Sequence, residues 1–242
     1  MENTGKDVII VVTNQGKEDK SKQMIKIYLV RHCQAEGNKN RIFQGQSDTD
    51  ISEKGAKQLE FLAERFKDIP LDKIYASRLV RAQKTAKAIA DVKGMEVQTD
   101  NDFIEINCGE VDGLPFQYIF DNYPDLKHSW YNEPHTFAPP GGETMEQVYA
   151  RAKRGLKKLT EDPENEGKTL LVVTHGCFLR SLMCGVLFGD IKRLREVQGA
   201  SNTGVTLLLC DKNEIKVEYM CDISHLPEEY VSSVKKLYTD DK

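Results

Sequence analysis

The chain has 242 residues, a length that favours a single α/β domain with a sizeable core. Its 34 lysines and arginines against 38 aspartates and glutamates give a formal charge of −4, which excludes a generally basic nucleic-acid binder. The longest apolar runs, 8–12 and 170–173, are far shorter than the roughly 20 residues that a membrane-spanning helix needs. We therefore expect neither nucleic acid nor a membrane as a partner.

The cysteines and the N-terminal residues bear on the compartment. Six cysteines are too few for a disulfide scaffold in a chain of this size, and they include no Cys-x-x-Cys pair. Cysteine and histidine pairs at zinc-ligand spacing are also absent from the sequence. The run 8–12 is too short for a signal peptide and follows acidic rather than basic residues. We expect reduced thiols, no metal and a cytoplasmic location.

The first predicted elements follow a polar N-terminal segment. Residues 1–23 end in a stretch of mixed charge, so we expect a flexible N-terminal arm before a domain over 24–242. The β-branched and aromatic residues at 24–30 predict a buried strand. Ser52 has the residue type of a helix N-cap, and the apolar residues after it recur at helical spacing as far as Pro70.

Strands and helices alternate along the middle of the chain. Residues 73–76 predict a second short strand, followed by a helix that ends at Gly94. Thr144 opens a capping box at the start of another amphipathic helix. The apolar residues 170–174 predict a fully buried strand, which leads into a helix over 177–188.

The last predicted elements decide the sheet type. Residues 205–210 and 215–220 predict a late hairpin, so the sheet is expected to be mixed although mainly parallel. Neither internal repeats nor low-complexity tracts occur in the sequence. Strands that alternate with amphipathic helices are typical of a three-layer α/β/α sandwich, which is the fold class we predict.

Charged and polar residues follow three of the predicted strands at the point where each strand ends. Arg31 and His32 follow the first strand, Arg81 lies one helical turn beyond the second, and His175 follows the strand 170–174. Ligands of open α/β sheets bind beyond the carboxyl ends of the strands. We therefore expect these side chains to converge, although about 140 residues separate the two histidines.

These residue types suit phosphoryl chemistry. Two arginines supply forked donors for phosphoryl oxygens, and the strand-to-helix step at His175 would add backbone N–H groups and the helix dipole. A neutral imidazole can attack phosphorus and form a phosphohistidine. Glu105 is a candidate proton donor, because its apolar sequence neighbours would raise its pKa.

Each of these residues taken alone has a structural alternative. A lone histidine is more often a hydrogen-bonded structural residue, and a lone arginine is usually a solvated charge. Glu105 alone would be a half-exposed charge at a strand edge. The combination of all of them favours the functional interpretation.

Five short blocks occur in a fixed order along the chain. They are Arg-His-Cys-Gln-Ala-Glu-Gly-Asn at 31–38, Ser-Arg-Leu-Val-Arg-Ala at 77–82, Phe-Ile-Glu at 103–105, Pro-Gly-Gly-Glu-Thr at 140–144 and Val-Val-Thr-His-Gly at 172–176. Their content, order and spacing resemble the histidine phosphatase superfamily in its phosphoglycerate-mutase-like branch. The resemblance extends over about 24–209, which is most of the chain.

The resemblance implies a role for each matching residue. His32 would be the phosphorylated nucleophile and Glu105 the proton donor. The phosphoryl group would be held by Arg31, Arg81 and His175. Asn38 would contact the phosphate from the first loop, and the flanking pocket positions would be Gln44, Gly45 and Gly176. The family needs no metal or other cofactor, and the expected ligand is a small phosphorylated metabolite.

One position departs from the family pattern. Cys33 stands where the motif usually has glycine. A thiol beside the nucleophile would make an enzyme sensitive to oxidation if the thiol were reactive. A small packed residue is the favoured alternative.

The resemblance leaves the reaction open. Mutases of the family carry a Tyr-Gly-x-Leu-x-Gly-Leu-Asn-Lys run after the acid motif, whereas this chain reads Cys-Gly-Glu-Val-Asp-Gly-Leu-Pro at 108–115. The distance from Glu105 to the Pro-Gly-Gly-Glu block is also short. Both features favour a phosphomonoester phosphatase, with a phosphoglycerate mutase as the alternative. A non-catalytic phospholigand-binding module would normally have lost one of the five catalytic residues, and all five are present.

Residues 113–140 are expected to form a cap over the pocket. The segment is rich in aromatic residues and holds Lys127 as its only lysine or arginine. Aromatic faces suit a substrate with a carbon or sugar body. The alternative is a hydrophobic mini-core that stabilises a long loop.

Overall fold

The computed structural model describes residues 24–211 and 214–232, so the predicted arm at 1–23 lies outside the described residues. Within the described residues, six strands form one sheet in the order β3-β2-β4-β1-β5-β6. Their bounds are Ile25–Arg31 (β1), Lys73–Ala76 (β2), Val97–Thr99 (β3), Thr169–Thr174 (β4), Val205–Cys210 (β5) and Ile215–Asp222 (β6).

Helices cover both faces of the sheet. Their bounds are Glu36–Lys39 (α1), Glu53–Phe66 (α2), Val80–Lys93 (α3), Phe116–Asn122 (α4), Pro124–Tyr131 (α5), Met145–Glu161 (α6) and Gly176–Phe188 (α7). Alternate residues of β4 belong to two separate apolar clusters: Leu170 and Val172 pack with α6 and α7, whereas Leu171 and Val173 pack with α2 and α3. The predicted three-layer α/β/α sandwich is confirmed.

The sheet is mixed and mainly parallel, as predicted. Strand β4 is central, and it pairs in parallel with β1 on one side and with β2 on the other. Strand β3 adds a further parallel pair beside β2, and the hairpin β5–β6 joins β1 in antiparallel orientation. All six residues of β4 are buried, which explains its continuously apolar sequence.

Local signals placed several helix ends correctly. The Ser52 hydroxyl accepts a hydrogen bond from the Gly55 N–H, and Thr144 forms the predicted capping box with Gln147. Gly94 ends α3 with a φ of 62°, a conformation that glycine adopts without strain. Strand β3 was not predicted, because it has only three residues and is partly exposed.

The aromatic residues after Gly113 pack on one another. The Trp130 ring lies 5.0 Å from the Phe43 ring and 5.1 Å from the Phe137 ring, measured between centroids, and Phe116 lies 4.9 Å from Phe43. Trp130 and Phe137 are only 8% and 1% exposed. These rings therefore form the mini-core that the sequence left as an alternative to substrate contact.

Among the described helices, none has the length and apolar character needed to cross a membrane.

Candidate active site

The parallel pairing of β1 with β4 brings two histidines together. Arg31 lies opposite Thr174 in the register, so the next residue of each strand, His32 and His175, leaves the sheet at the same level. The His32 N–H donates to the Thr174 carbonyl at 2.9 Å, and the two imidazole ring centroids are 5.1 Å apart. Both histidines are buried. The predicted convergence of the two strand ends is therefore present.

The hydrogen bonds of His32 define its tautomer. Its Nδ1 atom lies 2.7 Å from the Cys33 carbonyl oxygen, and a carbonyl oxygen only accepts. Nδ1 must therefore carry the hydrogen, which leaves the lone pair of the neutral ring on Nε2. The side chain of Asn202 donates to the His32 carbonyl at 2.9 Å and fixes the backbone of the same residue.

Two arginines lie beside the histidines and are held through backbone carbonyls. The Arg81 guanidinium donates to the carbonyls of Gly45 and Ser47 at 2.8 and 2.9 Å. The Arg31 guanidinium donates to the Ala200 carbonyl at 2.6 Å. Neither arginine has a carboxylate within ion-pair distance among the described residues, so their positive charge remains available for an anion.

Unpartnered nitrogen atoms are concentrated at this site. Of the seven buried side-chain polar atoms without a hydrogen bond among the described residues, five are nitrogens of the predicted site residues. They are Arg31 Nε, Gln44 Nε2, Arg81 Nε, and Nδ1 and Nε2 of His175. Buried polar groups in folded proteins normally have partners, so a local cluster of exceptions is characteristic of a binding site.

Burial and positive charge act together on the histidines. Burial lowers the pKa of His32 well below its ordinary value of 6.5, and the charges of Arg81 and Arg31 lower it further. The pKa of His175 is lowered by the same causes, with His32 as an added one. Both rings are therefore neutral at neutral pH, the state in which an imidazole nitrogen is a nucleophile or a ligand for a phosphoryl group.

Glu105 occupies a different environment from the expected one. It is buried, but its carboxylate is not surrounded by apolar groups: Oε1 accepts the N–H groups of Ile106 and Phe178 at 2.9 and 3.0 Å, and Oε2 accepts that of Cys177 at 3.0 Å. The prediction of an apolar setting is wrong, because residues 177 and 178 are remote in sequence. The predicted helix N–H groups after His175 consequently bind this carboxylate.

The Pro-Gly-Gly-Glu block holds the acid segment in place through its glutamate. Glu143 forms an ion pair with Arg151 at 2.9 Å and accepts the Asn107 N–H at 2.8 Å. The same guanidinium donates to the Ile104 carbonyl at 2.6 Å and to the Glu105 carbonyl at 3.3 Å. The sequence analysis missed Arg151 and Asn202. Each acts on a segment remote in sequence, and neither belongs to a recognisable motif.

Asn38 lies in α1, Gln44 and Gly45 lie in the loop that follows α1, and Gly176 is the first residue of α7. Asn38 Oδ1 accepts the Ala35 N–H at 3.0 Å, so this side chain also closes the first loop. The side-chain oxygen of Gln44 accepts from the Thr49 hydroxyl. A Cβ on Gly45 would meet Ile106 O at 2.6 Å, whereas a Cβ on Gly176 would lie 3.6 Å from Arg31 Nε. Close approach of the loop to the acid segment therefore requires glycine at position 45.

The thiol of Cys33, next to His32, lies in an environment that makes it unreactive. All six cysteines are free, and Cys33 is fully buried. Burial raises the pKa of Cys33 to about 11, so its thiol stays protonated at neutral pH. The alternative of a small packed residue fits this environment.

Within the described residues, no group of three or more His, Cys, Asp or Glu side chains could hold a metal ion.

Comparisons with known proteins identify the family. The model of the histidine phosphatase superfamily (branch 1) matches residues 27–223, so the chain belongs to that superfamily. The chain is 33% identical to phosphoserine phosphatase 1 of Hydrogenobacter thermophilus over 217 residues, which cover 88% of this chain and 100% of the relative. It is 32% identical to a probable phosphoglycerate mutase GpmB of an Enterobacter species over 164 residues, which cover 68% of this chain and 75% of the relative.

A solved structure agrees with both the fold and the family. A mycobacterial glucosyl-3-phosphoglycerate phosphatase superposes with a TM-score of 0.75 and 25% identity, over 82% of this chain and 99% of the other. The relatives thus include proteins named as phosphatases and proteins named as probable mutases. The superfamily named from five sequence blocks is confirmed.

The environment of the histidines predicts a pH response. Replacement of Arg81 by Gln should raise the pKa of His32 and of His175, because each loses a nearby positive charge that disfavours its protonated form. Ring nitrogen titrations by NMR on the wild-type protein and on Arg81→Gln would measure the shift.

Linkage predicts how the stability of the folded protein depends on pH. His225 contributes in the same direction as His32 and His175, because burial lowers its pKa from 6.5 to about 4. Since the folded-state pKa values lie below 6.5, unfolding takes up protons, and the free energy of unfolding should fall as the pH drops below about 6.5. Urea titrations at a series of pH values below and above about 6.5 would measure this change in the free energy of unfolding. An unshifted ring pKa in Arg81→Gln would show that the guanidinium does not act on the histidines.

Proposed function

We propose that the protein hydrolyses a small phosphorylated metabolite through a phosphohistidine intermediate on His32. The observation that carries this proposal is the cluster of unpartnered, buried nitrogens on Arg31, Arg81 and His175 beside the neutral His32 ring. Forked cationic donors and neutral imidazoles in one buried place match a phosphoryl group better than any other common ligand. The family and the phosphatase names of relatives support the same reaction type.

In the first step, Nε2 of His32 attacks phosphorus. The N–P bond forms while the P–O bond to the substrate breaks, and the departing oxygen takes a proton from Glu105. Arg31, Arg81 and His175 bind the phosphoryl oxygens, on which negative charge is spread in the transition state. The Nδ1–H of His32 stays bound to the Cys33 carbonyl and stabilises the ring as its charge changes.

In the second step, water attacks the phosphohistidine. Glu105, now a carboxylate, takes a proton from that water, the N–P bond breaks, and phosphate leaves with the His32 ring neutral again. Oε2 is the oxygen suited to carry the proton in both steps. It accepts one backbone N–H, whereas Oε1 accepts two and has no lone pair left.

Water rather than a second phosphorylated molecule is the proposed acceptor. The mutase-type run after the acid motif is missing, and the segment 113–140 contributes only Lys127 as a formal cation. We assign this segment to a cap whose packed rings stabilise the loop after His32, through Phe43, instead of contacting substrate. An acceptor carrying its own phosphate would require further cations there.

The covalent intermediate can be trapped. Rapid quenching with labelled substrate should give an acid-labile, base-stable protein phosphate in the wild-type protein, and His32→Ala should lack it. His175→Ala should retain the fold but lose most turnover, because it removes a phosphoryl ligand. Label that persists on His32→Ala would place the nucleophile elsewhere.

The effect of replacing Glu105 should depend on the leaving group of the substrate. Glu105→Gln should lose about 10²-fold or more in activity on alkyl phosphates, the usual range for a general acid, and less on p-nitrophenyl phosphate, whose leaving oxygen needs no proton. A matched control is Glu110→Gln, an exposed carboxylate on the same segment. Equal losses on both substrates would mean that Glu105 only binds or supports α7.

A third experiment separates hydrolysis from isomerisation. With 3-phosphoglycerate and a trace of 2,3-bisphosphoglycerate, 2-phosphoglycerate should form no faster than phosphate is released, because water takes the phosphoryl group. A screen of phosphomonoesters should reveal a substrate that is hydrolysed much faster. Isomerisation that exceeds hydrolysis by an order of magnitude, and is lost in His32→Ala, would instead establish a mutase.

A further inference from the structure

The carboxylate of Asp112 is bound by three consecutive backbone amides. Oδ1 accepts the Gly45 N–H at 2.9 Å, and Oδ2 accepts the N–H groups of Gln46 and Ser47 at 2.9 and 2.8 Å. Three amide donors on one carboxylate are charge-assisted hydrogen bonds, which are shorter and stronger than neutral ones. The loop 45–47 is therefore tied to a single side chain.

The same loop holds Arg81 from its other side. The carbonyls of Gly45 and Ser47, the first and last residues that Asp112 binds, accept both terminal nitrogens of the Arg81 guanidinium. These two contacts leave Nε of Arg81 as its unpartnered nitrogen. A guanidinium is planar, so two fixed contacts determine the direction of the third donor. The orientation of Arg81 consequently depends on the position of this loop.

The backbone around Asp112 is itself immobilised against the first loop. Phe43 and the segment after Asp112 exchange two hydrogen bonds, from Gly113 N–H to the Phe43 carbonyl at 2.9 Å and from Phe43 N–H to the Leu114 carbonyl at 2.8 Å. A Cβ on Gly45 would also meet Cys108 Sγ at 2.6 Å, so the loop lies directly on the segment that follows Glu105. Asp112 thus connects the first loop with the acid segment.

We infer that Asp112 is a positioning residue for phosphoryl binding, acting through the loop 45–47 on Arg81. The inference rests on the proposed function, because it assigns Arg81 to the phosphoryl group. Asp112 does not touch the phosphoryl group itself. It fixes the two carbonyls that aim the guanidinium, and its negative charge offsets part of the cost of burying Arg81.

The test compares phosphate affinity in the wild-type protein and four variants. Asp112→Asn removes the charge and leaves one oxygen for three amides. The dissociation constant of inorganic phosphate, measured by calorimetry, should rise about 10- to 100-fold, which is the range for loss of charge-assisted hydrogen bonds around a ligand group. Asp121→Asn is the matched control, since among the described residues the side chain of this exposed carboxylate accepts hydrogen bonds from Gln117 alone. Its affinity should equal that of the wild type.

The double variant identifies the route of the effect. In an Arg81→Lys background the two carbonyl contacts of the guanidinium are gone, so adding Asp112→Asn should weaken phosphate binding less than about 3-fold, as expected for residues that act as one unit. If Asp112→Asn weakens phosphate binding equally in the wild-type and Arg81→Lys backgrounds, or weakens it in neither, the inference is overturned. If Asp112→Asn does not fold in thermal melts, Asp112→Glu, which keeps the charge but displaces it, is judged by the same comparison.

Phosphate binding separates this inference from the proposed function. If the wild-type protein binds phosphate but hydrolyses no phosphomonoester, the proposed reaction is contradicted. The comparison of phosphate affinities then still decides whether Asp112 positions Arg81. Wild-type protein that binds no phosphate would overturn both. Turnover of p-nitrophenyl phosphate by Asp112→Asn should show a rise in KM that follows the loss of phosphate affinity.

Discussion

The register between β1 and β4 is the constraint on which the site depends. These two parallel strands place Arg31 opposite Thr174, so that His32 and His175 leave the sheet side by side. Strand β2 pairs with the other edge of β4, and the Ser77 N–H donates to the Val173 carbonyl at 3.1 Å. Arg81 therefore starts from the same edge of the sheet. A shift of one residue would turn alternate side chains to the opposite face. The complete burial of β4 opposes such a shift.

The site is built at a cost in stability that the core has to offset. Two imidazoles, the Arg81 guanidinium and Nε of Arg31 are withdrawn from water, and an unsatisfied buried polar group costs about 1–3 kcal/mol. The same burial makes both histidines neutral, so the cost and the reactivity have one cause. Apolar clusters on both faces of the sheet supply the compensating free energy. Buried polar groups without partners, which lower stability, are characteristic of functional sites.

Local sequence signals predicted five of the six described strands, several helix caps and the convergence of the strand ends. Each of these features depends on neighbouring residues or on a general property of α/β sheets. The environment of Glu105 was not predictable in this way. Its sequence neighbours are apolar, but two of the three N–H groups that its carboxylate accepts belong to α7, about 70 positions later. The roles of Asp112 and Asn202 were not predicted for the same reason, since both side chains bind backbone groups of the first loop region, which is remote in sequence. Packing of the aromatic residues after Gly113 likewise depends on Phe43, far earlier in the chain.

The capping of α7 by Glu105 constrains how the site can bind an anion. The N–H groups of Cys177 and Phe178 already bind this carboxylate, so these two helix amides are not available to a phosphoryl group. In the proposed reaction, the charge on that group must then be met by side chains, such as the buried Arg81 and the partly buried Arg31. His175 directly precedes α7, so the hydrogen bonds of Glu105 to α7 also fix the separation between the proposed proton donor, Glu105, and a proposed phosphoryl ligand, His175. Arg151 and Glu143 hold the backbone of Glu105 from the opposite side. The Glu105 side chain therefore has little freedom to move, and in the proposed reaction the substrate must bring its leaving oxygen to this carboxyl group.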